Sequence, residues 1–304
     1  MMDKAFRTFY PEKEGLLGFH KILVSAVAPR PIAFVSTISA SGVRNLSPFS
    51  YFNVFGANPP IAIFSASTTE SGKDKDTLAN IRATRECIVH IADRRISHQL
   101  SLSSAAFSSE VDEFERSGLT PTPGAHVKPY RVVEANVAFE CVVQDIVPLG
   151  ESRGSGNLAI CRILMAHVAN DVLDDSHQMV DPRKLRPIGR LGGEWYLETT
   201  PSGLFELPRP PTGEAMGIAA VLHCAPAASD LTPEEQATLA CVAAPPDGES
   251  VDRFYEMWRQ VVDTSEMSLD GIRQGLLQAT RSALSKQNVA EAWVAVSAAS
   301  RVKP

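Results

Sequence analysis

A proline stands inside the strongest strand pattern of this chain. Residues 29–55, PRPIAFVSTISASGVRNLSPFSYFNVF, read as a strand, a tight turn at Ser41-Gly42, and a second strand interrupted by Ser47-Pro48-Phe49-Ser50. Proline has no N–H to give a central ladder, so Pro48 restricts its strand to a sheet edge or a bulge, and nearby backbone amides are expected to be free. Free amides beside serine hydroxyls suit the polar rim of a planar heteroaromatic ring. Taken alone, the segment suits equally well a barrel corner whose serines face solvent.

The surroundings extend the β pattern. KILVSAVA, PIAFVSTISA, NLSPFSYFNVF and PPIAIFSAS, between Lys21 and Ala66, are short runs rich in valine, isoleucine and phenylalanine, each closed by proline or glycine. DKDTLANIRATRE changes to helical spacing at Leu78, Ala79 and Ile81, with Asp74 or Asp76 placed to cap and Arg82 and Arg85 in the last turn. CIVHIAD returns to strand, and RRISHQLSLSSAAFSSEVDEFERSG reads as a surface helix stopped at Gly118. After a proline-rich connection come strand-like runs at VEANVAFECVVQDIVPLG, NLAICRILMAHVAND and EWYLETT. Many strands with few helices between them predict a closed or partly closed barrel. Past LPRPPTGE, residues 207–214, the chain turns alanine-rich and helical, and Thr232-Pro233-Glu234-Glu235 is a good helix opening. The expected division is a mainly β domain over 1–206 and an α-helical extension over 207–304.

At 304 residues, one large domain with an appendage is the leading expectation. A hydrophobic fraction of 44% and a charged fraction of 21% are those of an ordinary globular protein. Net charge is −6 and no basic run accumulates, so nucleic acid is not an expected partner. Cys87, Cys141, Cys161, Cys224 and Cys241 are odd in number, widely spaced and set among apolar residues, which predicts reduced core thiols. The charged opening MMDKAFRTFYPEKEG and the lack of any apolar run of ~20 residues predict no membrane span and a cytoplasmic location. There is no GxxxxGK[ST], no GxGxxG after a strand and no GxSxG. His90 and His98, and the cluster Asp171, Asp174 and Asp175, lack metal-ligand spacing, so neither a metal nor an obligatory catalytic side chain is assigned.

Taken in order, Pro29-Arg30-Pro31, Val35-Ser36-Thr37, Asn45-Leu46-Ser47-Pro48-Phe49-Ser50, Lys75-Asp76-Thr77-Leu78 and Asn80-Ile81 resemble the flavin reductase-like family of FMN-binding split barrels. That family includes short-chain flavin reductases, flavoredoxins and the reductase component associated with nitrilotriacetate oxidation. The resemblance spans roughly Lys21 to Thr200. It implies a split β-barrel, FMN as cofactor, NADH or NADPH as electron donor, and a homodimer. It places Thr37 and Asn45, Leu46, Ser47, Pro48, Phe49 and Ser50 along the isoalloxazine ring, chiefly through main-chain atoms. Ser65, Ser67, Lys75, Asp76 and Thr77 would gather round the ribityl phosphate. Lys75 and Thr77 open a helix, where unpaired amides already favour a phosphate, although a solvated surface lysine is the plain alternative.

Gly189-Arg190-Leu191-Gly192-Gly193-Glu194-Trp195-Tyr196 is similar to the family's closing motif. By that resemblance Arg190, Gly192, Gly193 and Tyr196 shape the substrate side, and a turn into a last strand would account for them as well. His177 and His126 are loop histidines that could approach a nicotinamide or donate a proton. Three functions follow from the resemblance. The first is an NAD(P)H-dependent flavin reductase supplying reduced FMN to a partner monooxygenase. The second is an FMN-dependent reductase acting directly on a small-molecule acceptor such as a nitroaromatic or quinone. The third is a flavin-binding electron carrier or sensor.

Overall fold

The computed structural model describes residues 5–68, 74–152, 154–207, 209–210, 212–213, 215–262, 264–265 and 267–302. Two compact units divide the chain, Met1–Leu204 and Phe205–Pro304.

The first unit is built on antiparallel strands. They are β1 (Arg30–Pro31), β2 (Ala33–Ile38), β3 (Arg44–Phe49), β4 (Phe52–Ala57), β5 (Pro60–Ser67), β6 (Glu86–Ile91), β7 (Pro121–Pro123), β8 (Tyr130–Val132), β9 (Val137–Pro148), β10 (Gly156–Val168), β11 (Ile188–Arg190) and β12 (Tyr196–Glu198). Seven of them form one sheet in the order β3-β2-β6-β9-β10-β5-β4, while β1-β11-β12 make a small three-stranded sheet and β7-β8 a short ribbon. β3 and β4 occupy opposite edges of the large sheet, yet only Ser50 and Tyr51 separate them in the chain. Three Cα steps span about 10 Å at most, so the sheet has to curl until its edges meet. The corner is tied where the Ser65 N–H donates to the Tyr51 carbonyl at 2.8 Å. Register shifts between Ile160 and Cys161 and between Ile163 and Met165 mark where β10 bends on β9.

Alternation sorts the side chains. Ala33, Val35, Phe64, Ala66, Cys87, Val89, Cys141, Val143, Ala159 and Cys161 point into the barrel with Leu78 and Ile81 of helix α2 (Asp76–Thr84). Ile32, Phe34 and Leu46 face the opposite way and pack with Ile96, Leu100, Phe114 and Val132. β2 is thus buried on both faces, which is why its sequence is almost continuously apolar.

Several sequence expectations are corrected here. KILVSAVA does not form a strand, because residues up to Ala26 belong to the helical segment α1 (Pro11–Ala26), turned at Gly15 with φ 69°. A short aliphatic run does not distinguish strand from buried helix by period alone. Past the turn at Gly15 the segment stays helical, and Arg30 binds the carbonyls of Val24 and Val27 at its far end. The helix expected to run up to Gly118 is broken into α3 (Ser97–Leu102) and α4 (Glu113–Ser117). The serine-rich stretch between them has no apolar period, and the Ser103 hydroxyl bonds back to the carbonyls of Gln99 and Leu100. α4 is not a surface helix either, since Glu113, Phe114 and Ser117 are buried; Gly118 does stop it, at φ 68°. Neither Asp74 nor Asp76 caps α2, whose N-cap is Lys75, and Asp74 instead pairs with Arg82 at 2.7 Å. For Pro48, whose strand the sequence restricts to an edge or a bulge, the structure has the edge, with unbroken register to β2. Of the five cysteines, Cys87, Cys141 and Cys161 are buried thiols, whereas Cys224 is exposed and Cys241 half-buried.

Beyond α5 (Pro182–Leu185), the helices belong to the second unit: α6 (Ile218–Cys224), α7 (Pro233–Leu239), α8 (Gly248–Val261), α9 (Leu269–Ser285) and α10 (Val289–Arg301). Thr232 and Glu235 form a reciprocal capping box on α7. The unit has its own core of Val221, Leu239, Val251, Leu276, Leu277, Trp293 and Val296, in which the Trp293 indole N–H donates to the Leu239 carbonyl at 2.8 Å. Among the described residues no helix is long and apolar enough to cross a membrane.

Candidate functional site

The side chains of the motif segments converge on one buried polar network. Asn45 Oδ1 accepts from the Thr37 hydroxyl at 3.0 Å and the Thr77 hydroxyl at 2.8 Å, while Asn80 Nδ2 donates to Thr37 Oγ1 at 3.0 Å. The Asn45 amide Nδ2 donates to Glu113 Oε1 at 3.2 Å, and the Leu46 N–H donates to Glu113 Oε2 at 3.1 Å. All five polar residues are under a tenth exposed. Burial raises the pKa of Glu113, opposed by hydrogen bonds from its own backbone, Leu46 and Asn45, and reinforced by the neighbouring Asp76 carboxylate. The network locks β2, β3, α2 and α4 together, so Thr37, Asn45 and Thr77 are positioned by hydrogen bonds among their own side chains and Glu113.

Beside this network lies a cleft of about 310 Å³, lined by Asn45, Ser47, Asp74, Lys75, Asp76, Thr77 and Glu113 and by Ser103, Ser104, Phe107 and Ser109. The Lys75 side chain is exposed and has no ion-pair or hydrogen-bond partner among the described residues. It stands at the start of α2, whose first-turn amides lack intrahelical acceptors and whose N-cap supplies no side-chain oxygen. An unpaired cation beside unpaired helix-start amides is an anion cradle, and it fits the phosphate of a flavin mononucleotide. The ring side differs from the sequence expectation. Leu46 turns its N–H away from β2 and spends it on Glu113, and Pro48, next on that side, has none. Along the free edge of β3, the carbonyls remain as acceptors while the Leu46 N–H is already engaged.

Other sequence-assigned residues lie elsewhere. Leu46 and Phe49 are core side chains, the latter against Phe64 with ring centroids 5.2 Å apart. Ser65 and Ser67 are on β5, paired with Leu158 and Gly156, and do not line the cleft. Ser50 accepts from Arg30 Nε at 3.4 Å. Arg190 lies over the Tyr196 ring at 4.4 Å and donates to the Gly193 carbonyl at 2.6 Å. Gly192 is fixed by space, since a Cβ there would stand 2.8 Å from Ser25 Cβ. His177 is exposed in the turn between Leu173 and Val180, at φ 55°. A second cleft of about 870 Å³ is lined by Arg44, Asp112, Glu115, Arg116 and Tyr130 among others, and there Arg44 is held by Asp112 at 2.5 Å and Glu115 at 3.6 Å.

Sequence reasoning missed Glu113 and the serines of residues 103–109, having read them as one surface helix. The available signal was Asp112, which caps α4 through the Phe114 N–H at 2.9 Å and so announces a new helix start.

The family model for the flavin reductase like domain matches residues 25–188, more than half of the chain. The chain belongs to the flavin reductase-like family. An uncharacterized protein of Aquifex aeolicus is 37% identical over 179 residues, 59% of this chain and 89% of that relative. Among solved structures, nitrilotriacetate monooxygenase component B from Bacillus cereus is 31% identical with a TM-score of 0.64, covering 67% of this chain and all (100%) of that one. The 2-nitrobenzoate 2-nitroreductase of Pseudomonas fluorescens is 25% identical with a TM-score of 0.59, covering 68% of this chain and 100% of that one. The flavin reductase-like fold thus makes the protein a flavoprotein of the oxidoreductase class.

Proposed function

We propose that the cleft at the start of α2 binds FMN and that the protein is an NAD(P)H-dependent FMN oxidoreductase, acting as a flavin reductase that supplies reduced FMN to a partner monooxygenase. The observation carrying this reading is Lys75, an unpartnered cation beside the open amides of α2 in a cleft floored by the Asn45–Glu113 network. When bound, FMN would take electrons from NADH or NADPH and pass them to an acceptor. Lys75 and the amides of Asp76 and Thr77 would hold the phosphate. The carbonyls along β3 would receive ring N–H groups, and Phe107 and the residue 103–109 serines would wall the cleft from water. The Glu113 network would keep β3 and α2 at a fixed separation while the cofactor enters and leaves.

The likeness to component B of a two-component monooxygenase supports the flavin-supplying role. A second reading, direct reduction of an organic acceptor such as a nitroaromatic, is favoured by the likeness to 2-nitrobenzoate 2-nitroreductase. The reading includes a homodimer, because edge strand β4 leaves Val54 59% and Phe55 65% exposed, and an apolar unpaired edge is ordinarily covered. The test is NADH and NADPH oxidation by purified protein under air, with and without FMN and with no organic acceptor. FMN-dependent oxidation agrees with the first reading; turnover only with a nitroaromatic agrees with the second; neither flavin binding nor nicotinamide oxidation would overturn both.

A further inference from the structure

The small three-stranded sheet carries a charge arrangement that the flavin cleft does not use. Register places Arg30 of β1 directly opposite Arg190 of β11, and Arg190 directly opposite Tyr196 of β12. The three side chains therefore stand in a row on one face. Like charges directly opposite one another are unfavourable, and a buried charge ordinarily has a counter-ion. Arg30 is 6% exposed, yet no carboxylate among the described residues is within ion-pairing distance of either guanidinium. Composition does not explain the omission, since the chain holds 35 acidic residues against 29 basic ones.

The two arginines are differently engaged. Arg30 gives its donors to neutral groups: the carbonyls of Val24, Val27 and Leu191 and the hydroxyl of Ser50. It thereby joins the end of α1 and the 191–193 loop to the last residue of the 45–50 segment. Arg190 uses one nitrogen on the Gly193 carbonyl and one face on Tyr196, leaving Nε and Nη1 without an acceptor among the described residues. Burial lowers the Arg30 pKa, and the Arg190 charge lowers it further against an opposite influence from Tyr51.

We propose that this pair is an oxyanion subsite, in which Arg190 receives a carboxylate or phosphate oxygen of a substrate and Arg30 is the positioning residue that holds the 191–193 loop and supplies uncompensated positive charge behind it. The oxyanion belongs either to an anionic organic acceptor or to the phosphates of the nicotinamide dinucleotide. The subsite's role in turnover rests on the oxidoreductase reading, whereas its existence does not. A half-open guanidinium with free fork donors, backed by a second buried one, binds an oxyanion more strongly than a solvated lysine does.

The experiment uses the full chain without added flavin, at low ionic strength, and measures binding of benzoate and of inorganic phosphate by calorimetry for the native protein, Arg190→Gln and Arg190→Lys. Saturable binding of one anion is expected, weakened at least tenfold in Arg190→Gln and partly recovered in Arg190→Lys. The Arg190→Gln melting temperature without anion should hold or rise, since a like-charge pair is relieved, whereas a merely structural arginine would lower it. Benzoate as the bound anion identifies an acceptor carboxylate, and phosphate identifies the dinucleotide. Binding of neither anion, equal binding by native protein and Arg190→Gln, or a lowered melting temperature for that variant would overturn the subsite. If FMN fails to bind while the anion result holds, the cofactor reading fails and the subsite stands.

Discussion

Two residues of the Lys75-Asp76-Thr77 motif have different work. Lys75 is free for a ligand, so Lys75→Ala should weaken FMN binding by about tenfold to a hundredfold, the range of one charge-assisted hydrogen bond, in a flavin-fluorescence titration. Thr77 is 1% exposed with its hydroxyl spent on Asn45, so Thr77→Val should lower stability more than flavin affinity. His90 offers a pH test. Its Nε2 accepts the Val132 N–H at 2.9 Å, which puts the proton on Nδ1, facing the Phe34 carbonyl at 2.8 Å. Burial lowers its pKa to about 4, against the hydrogen bond to Phe34. In the unfolded chain it titrates near 6.5, so between the two values the unfolded state binds more protons. Stability should therefore fall as pH drops from about 6.5 to about 4, by about 3 kcal/mol at the limit. Urea unfolding across this range should show the slope, and His90→Gln should flatten it.

At the scale of elements, α4 is the one whose removal from its place would matter most to the cleft. Glu113→Ala strands the Leu46 N–H and the Asn45 amide in a buried setting, at a cost of about 2–4 kcal/mol in chemical denaturation, and Glu113→Gln should cost less because one acceptor remains. Gly192→Ala should cost about 1–3 kcal/mol, since the new Cβ meets the Cα of Ser25 at 3.0 Å as well as its Cβ, and backbone yields poorly. Edge strand β4 supplies the test of assembly. Phe55→Glu should shift the protein from dimer to monomer in analytical ultracentrifugation, because a charge on an apolar edge opposes pairing.

For the molecule as a whole, the two units have separate cores, and the second should fold alone. Residues 205–304 expressed by themselves should give a helical spectrum and a cooperative melt, and Trp293→Ala in that fragment should cost about 3–5 kcal/mol, as expected for a fully buried indole with a satisfied N–H. A fragment that shows no cooperative transition would mean that the helices depend on the barrel unit.

The barrel was legible in the chain because period-two apolar alternation and proline-bounded runs are local signals, and Pro48 narrowed its strand to an edge or a bulge. The family and the Lys75 helix start were legible for the same reason: each is written in adjacent residues. What neighbouring residues do not carry is who satisfies whom across the fold. KILVSAVA became helical because Arg30, farther along the chain, binds its terminal carbonyls. Of the amides near Pro48, the Leu46 N–H is claimed by Glu113 from 67 positions away. The facing of Arg30 and Arg190 exists only through strand register. Hydrogen-bond satisfaction and charge pairing depend on three-dimensional proximity, and a linear pattern of residue types records propensity without recording partners.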